Sequence, residues 1–282
     1  MRDDLDTPPV AVRPAAGQTL PVAPGETADP ALVPASMLAS IVEATAVETA
    51  FAAVGQIMAG YGFDRLFYGL SRSRADLRQY EFDDVLFLSS FPDTVTAAFF
   101  RDRHLGNSPM RRWVMSNTGA CSWRWVETER AAGRLSDAEE RSVAFCRAQG
   151  LVAGYTLSLA DREPRDGAAI SLCARPGLSQ ADAEAIWARH GPVISLVSRV
   201  FHLRVATLPF APAGRALTAR QREALQWAGD GKSVQDIAQI MGLTPATVEK
   251  HLRLARQTLG ASTTAHAVRK ALSFNQLYPS RR

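Results

Sequence analysis

The residues best placed to do chemistry in this 282-residue chain are cationic and lie close together near its C-terminus. Lys250, Arg253 and Arg256 follow one another at steps of three, with Lys232 shortly upstream. Spaced this way on a helix, such residues neutralise phosphates and release their counterions. Residues 213 to 282 hold eleven basic and four acidic side chains, a net +7; the whole chain is +4, so the first 212 residues carry −3. A basic block on a mildly acidic body is the footprint of a nucleic-acid-binding module joined to a part with other work, although a solvated basic face has the same composition. Other chemistry finds no assembly. The histidines, His104, His190, His202, His251 and His266, never stand at metal-ligand spacing with a cysteine or carboxylate, so neither a metal nor a cofactor is expected. Ser108 and Ser122 sit in no nucleophile elbow, and no glycine-rich phosphate loop follows a strand, so no enzymatic activity is expected. Three scattered cysteines, Cys121, Cys146 and Cys173, read as free buried thiols in a reducing compartment.

The elements that must position the cations are marked by dense punctuation. Thr218 and Gln221 make a capping box for a helix carrying Ala224, Leu225 and Ala228 inward and ending at Gly231. Ser233 and Asp236 cap a second helix, with Ile237, Ala238 and Met241 on one face and Gly242 as its turn. Thr244 as N-cap and Pro245 at the first position open a third. On it Val248, Leu252, Ala255 and Leu259 form a buried stripe, with Ala246, Glu249, Lys250, Arg253 and Gln257 opposite. Two short helices joined by a glycine turn, the second basic on its outer face, make a helix-turn-helix sized for the major groove.

Leu217 to Trp227, Gly231-Lys-Ser233, Asp236-Ile-Ala238, Met241 to Thr244, Thr247-Val248 and His251-Leu252 together resemble the LuxR-type helix-turn-helix module over about fifty residues. Gln221 stands where that family usually has glutamate, and it still completes the capping box. The resemblance implies that Lys232, Thr247, Lys250, His251 and Arg253 lie near DNA, and that a last helix, about Thr264 to Leu272, contributes to dimerisation. Arg256 joins them as a phosphate-neutralising residue by its charge, and His251 fits either a packing or a phosphate role.

Upstream, the length allows a second domain with its own core. Seven of sixteen prolines fall in residues 1–35, which read as a flexible tail. A helix is expected from Ser36, its face Met37, Ile41, Ala44, Val47, Phe51, Val54 and Met58, stopped by Gly60 and Gly62. Strands are expected at Arg65–Leu70 and Val85–Leu88, and a hairpin from Gly154–Leu159 and Ala168–Cys173 across Asp161–Asp166. Helices follow Phe91-Pro92, Ser108-Pro109 and the capping box Ser136 to Glu139; Gln180 to Val205 is a long amphipathic helix, and Pro209, Pro212 and Gly214 mark a linker. The expected class is α+β: an α-β-α sandwich with an antiparallel sheet over residues 36–206, a linker at 207–216, and an all-α four-helix DNA-binding domain over 217–282. No membrane span is legible, and the acidic start Met-Arg-Asp-Asp-Leu-Asp is no secretory signal, so a cytoplasmic location is expected.

A receiver domain would need an acidic pair after its first strand and a late lysine on an alternating βα pattern, and residues 36–206 hold no lysine. Their element order instead resembles the autoinducer-binding domain of quorum-sensing LuxR proteins, with Phe91-Pro92, Ser108-Pro109, Ala120 to Trp123 and Gly150 to Gly154 as landmarks. In that family a tryptophan four residues after the first landmark aromatic donates to the lactone carbonyl, and an aspartate before the later proline accepts from the ligand amide. Val95 and Ser108 occupy those places here, with Phe91 and Phe99 where tyrosine is common. An acyl-homoserine lactone would be left short of partners at about 1–3 kcal/mol for each unsatisfied group. Trp123 would wall the cavity; Phe91, Phe99, Tyr68 and Phe87 either line it or pack an ordinary core. The implied protein is a homodimeric transcription regulator reading palindromic double-stranded DNA, with RNA polymerase as a further partner. It is either controlled by a small apolar molecule or free of any ligand. The alternative is an anti-activator forming mixed dimers with another regulator of the same type.

Overall fold

The computed structural model describes residues 33–71, 85–159, 167–211 and 215–277. The chain divides into two compact units that part between Ala206 and Thr207. The proposed tail up to residue 32, the hairpin loop, and Pro212 and Gly214 of the linker lie outside the described residues.

In the first unit α1 (Ala35–Val42) and α2 (Val47–Gly60) precede β1 (Arg65–Ser71) and β2 (Val85–Ser89). Then come α3 (Asp93–Arg101), α4 (Pro109–Ser116), β3 (Gly119–Ser122), α5 (Arg124–Ala131) and α6 (Asp137–Ala148). β4 (Gly154–Ser158), β5 (Gly167–Cys173) and α7 (Gln180–Thr207) complete it. The strands form one antiparallel sheet in the order β2-β1-β5-β4-β3. The expected hairpin is present, with Gly154 opposite Cys173 and Ser158 opposite Ala169. A Cβ at Gly154 would lie 2.2 Å from the Leu172 carbonyl oxygen, so β4 approaches β5 this closely only because that landmark is glycine.

Side chains alternate across the sheet. Leu66, Tyr68, Leu70, Tyr155, Leu157, Ile170 and Leu172 are buried on one face. Against that face Tyr68 meets Phe201 of α7 edge-on at 4.9 Å, Phe51 of α2 packs on Phe201 at 6.1 Å, and Tyr155 stacks on Trp187 at 4.1 Å. The opposite face bears Phe67, Gly69, Ser71, Val85, Phe87, Thr156, Gly167, Ala169 and Ser171, beneath the layer from α3 to α6. The α+β class with a helix-covered antiparallel sheet is as expected.

One local reading is corrected, and two elements join those expected. The first helix breaks at 43–46 into α1 and α2, because Arg204 of α7 draws the Ala44 carbonyl out of the ladder with hydrogen bonds from Nε (2.9 Å) and Nη2 (2.6 Å). The landmark Ala120 to Trp123 sits at β3, an edge strand whose four residues pair with β4 and are too few for alternation to reveal. The eight residues after it form α5, whose buried side includes Glu129, a carboxylate held by Arg112 and Arg134 where periodicity would look for an apolar residue.

The second unit is helical: α8 (Ala219–Gly229), α9 (Val234–Met241), α10 (Pro245–Leu259) and α11 (Thr264–Ser273). Both expected capping boxes are formed, Thr244 Oγ1 accepts from the Thr247 N–H, and Gly242 and Gly260 close α9 and α10 in the left-handed region. Leu225, Ile237, Val248, Leu252, Ala255 and Leu259 meet Ala267, Ala271 and Phe274 in one core.

Candidate ligand cavity and nucleic-acid interface

Between the sheet and the helices α3 to α6 lies a cavity of about 210 Å³. Small residues create it: Gly69, Ala169, Gly167 and Ser71 leave the strands low, and a Cβ at Gly69 would come within 3.1 Å of the Phe87 ring. Phe67, Phe87, Phe91 and Phe99 supply its aromatic wall, with Phe67 and Phe99 meeting edge-on at 5.5 Å. Leu105, Met110, Val114, Met115 and Phe145 close it from the helical side.

The structure brings Phe91, Val95, Phe99, Ser108 and Trp123 together on this lining. Tyr68 is elsewhere, and its expected place is corrected. In β1 the residues 67, 69 and 71 face the cavity, so Tyr68 points through the other face, where its ring packs on Phe201 and its hydroxyl pairs with His202 Nδ1 at 2.8 Å. Ser108 is the N-cap residue of α4 by position, yet its hydroxyl makes no cap hydrogen bond and has no protein partner among the described residues. It therefore offers the cavity a neutral donor and acceptor. Val95 offers neither.

Trp123 donates its indole N–H to Thr156 Oγ1 at 2.9 Å, and Thr156 Oγ1 pairs with Ser171 Oγ at 3.0 Å. Thr156 and Ser171 are lining residues that sequence reasoning passed over; the signal available was a polar residue on the inward side of each hairpin strand. Also missed were Arg111, Glu127 and Arg147, which bring charge to the lining. Arg147 Nη2 donates to Glu127 Oε1 at 2.7 Å, and Arg111 Nη1 donates to the Gly106 carbonyl at 3.2 Å. On the sheet's other side Arg124 and Ser122 bind Glu184, and the Arg124 guanidinium above all holds that carboxyl down at about 2.

Burial raises Cys146, on the cavity wall, to about 12, and Cys121 and Cys173 to about 11. At neutral pH these free thiols are protonated and unreactive. No group of three or more potential metal ligands occurs among the described residues, and none of their helices is long and apolar enough to cross a membrane.

In the second unit α10 exposes Ala246, Glu249, Lys250, Arg253 and Gln257, with Thr247 and His251 half-buried beside them. Lys232 is exposed in the turn before α9. The fifteen-residue α10 is about 22 Å long, enough to lie along a major groove. Arg253 Nη1 rests on Gln257 at 3.3 Å. Arg256 differs, since its Nη1 donates to Thr264 Oγ1 at 2.9 Å and so ties α10 to the start of α11.

Residues 46–205 match the autoinducer binding domain family, more than half of the chain, and residues 215–271 match the luxR family of bacterial regulatory proteins. The quorum sensing-dependent transcriptional regulator RpaR of Rhodopseudomonas palustris is 38% identical over 128 residues, 44% of this chain and 48% of RpaR, so the chain spans about half that relative's length. The transcriptional activator AnoR of Acinetobacter nosocomialis is 24% identical over 217 residues, 77% of this chain and 87% of AnoR. The solved structure of Escherichia coli SdiA is similar with a TM-score of 0.46 and 16% identity, covering 85% of this chain and 95% of that one. RpaR and AnoR are both, by name, regulators of transcription. The chain belongs to the LuxR family of bacterial regulatory proteins that carry an autoinducer-binding domain.

Proposed function

We propose that this protein is a DNA-binding transcription regulator whose N-terminal domain, residues 36–206, takes a small apolar molecule other than a conventional acyl-homoserine lactone. The observation that carries this reading is the cavity: at about 210 Å³ it exceeds the roughly 150 Å³ in which an apolar protein cavity holds benzene. Its wall has Val95 and Ser108 where a lactone head needs a strong donor and an anionic acceptor. Phe91, Phe99 and Trp123 hold the body of the ligand. Because the Trp123 N–H is already spent on Thr156, the ligand meets the ring through its face and edge, not through a hydrogen bond.

Residues 217–282 bind double-stranded DNA through Lys232, Thr247, Lys250, His251 and Arg253, while Arg256 adds charge from a fixed position. The protein acts as a homodimer on palindromic sites, where half-sites about one helical turn apart meet two copies of α10. Exposed Leu196 and Leu203, seven residues apart on α7, and exposed Leu272 on α11 support self-association.

Mass spectrometry of solvent extracts from the denatured pure protein tests the ligand, and an apolar molecule in stoichiometric amount is expected. Acyl-homoserine lactones at a hundredfold excess over a tight dissociation constant would add about 2.7 kcal/mol of stability, a readily measured melting shift. Standard lactones at micromolar concentration are expected to give none, and a large shift would show that Val95 and Ser108 do not govern the head. Specific binding of the purified protein to promoter DNA supports a regulator acting alone; its absence supports the anti-activator.

A further inference from the structure

We propose that the cavity's ligand is an amphipathic carboxylate, with its chain among the phenylalanines and its carboxyl group on Arg147. This deepens the reading of the cavity as a site for apolar molecules and rests on it. Among the described residues the charged side chains on the lining are Arg111, Glu127 and Arg147, an excess of one positive charge. Arg147 lies in the last turn of α6 and spends only Nη2, on Glu127. Its Nε–H and Nη1–H have no protein partner among the described residues; each lies on a different edge of the planar fork beside one of the two Nη2 hydrogens, and since Glu127 takes only one of these, one edge with two donors is left for a carboxylate.

The position suits a charged head. The Arg147 and Glu127 side chains are 50% and 51% exposed, so they form a rim that water reaches, and a carboxylate held there keeps part of its hydration while its chain enters the dry interior. Hydrogen bonds between two charged partners are roughly twice as strong as neutral ones. Recruiting Arg147 does not strand Glu127, whose two oxygens also accept from Arg130 Nη1 at 3.2 and 3.3 Å. Deeper in, most polar groups are already engaged: the Trp123 N–H with Thr156, Ser142 Oγ with the His104 carbonyl at 2.9 Å, and Thr96 Oγ1 with Ser89 Oγ at 3.1 Å. The internal competitors for a head group are the Ser108 hydroxyl, which is neutral, and the Arg111 guanidinium, whose Nη1 is engaged by the Gly106 carbonyl at 3.2 Å.

Octanoate and octan-1-ol, which share a chain and differ in the head, test this by calorimetric titration of the full-length protein. Octanoate is expected to bind at least tenfold tighter than octanol to the native chain. That preference is expected to collapse in Arg147→Gln, persist in Arg147→Lys, and survive Ser108→Ala. The unliganded melting temperature of each variant shows that it is folded. Equal or tighter binding of octanol, a preference untouched by Arg147→Gln, or one abolished by Ser108→Ala instead, overturns the carboxylate assignment and leaves the apolar cavity standing. Failure of both chains to bind the native protein overturns the assignment and counts against the cavity reading as well.

Discussion

Two hydroxyls on β4, two residues apart and both only 2% exposed, are predicted to respond to removal with opposite sign. Thr156 Oγ1 is the acceptor for the Trp123 indole and the mate of Ser171. Thr156→Val keeps the shape and leaves the indole N–H without its acceptor, a loss of about 1–3 kcal/mol. In a unit of this size each kcal/mol moves the melting temperature by about 2–4 °C, so a fall of about 2–12 °C is expected. Ser158 Oγ, on the same side of the same strand, has no hydrogen-bond partner among the described residues. Its burial costs desolvation with nothing in return, so Ser158→Ala is expected to leave the melting temperature unchanged or raise it by a similar number of degrees. Thermal unfolding followed by tryptophan fluorescence reads this unit, which holds Trp113, Trp123, Trp125 and Trp187, with Trp227 alone in the other. A drop of more than about 2 °C for Ser158→Ala, or none for Thr156→Val, would refute this accounting of the sheet's polar groups.

Lys250→Ala is expected to weaken binding to specific and unrelated DNA by a common factor and to flatten the salt dependence by about one counterion, as fluorescence anisotropy across a salt series would read; a change confined to one base position would contradict the phosphate role. Removing the recognition-helix cap by Thr244→Ala should cost the C-terminal unit about 1 kcal/mol, visible in chemical denaturation monitored by circular dichroism. Glu184 titrates at about 2 in the folded chain against 4.5 for a free glutamate, so the unfolded state takes up its proton first on acidification. The stability it contributes is full above pH 4.5 and is lost as pH falls from there toward 2; Glu184→Gln should flatten that limb of a melting-temperature profile, and an unaltered acid limb would contradict the Arg124 pairing.

Whatever depends on partners a few residues away was legible in the sequence. The capping boxes at Ser136, Thr218 and Ser233, the Thr244 cap, the glycine stops and the buried stripe of α10 are set by hydrogen bonds and periodicities spanning three or four residues. The helix-turn-helix was readable for that reason, and so were the landmarks that bring Phe91, Val95, Phe99, Ser108 and Trp123 to one cavity. The hydrophobic pattern did not say which alternate face of β1 would open on it, since both faces carry apolar residues, Leu66, Tyr68 and Leu70 against α7 and Phe67 beneath the layer from α3 to α6; pairing with β5 and β2 decided that, and sent Tyr68 to His202. Nor did it give the polar chemistry of the cavity. Thr156 meets Trp123 across 33 residues and Arg147 meets Glu127 across 20, and a helix expected to run unbroken is opened at Ala44 by an arginine 160 residues away. Such contacts form only once the chain has folded back on itself, so they leave no local period to read, and it is they that decide which groups in the cavity are spent and which remain for a ligand.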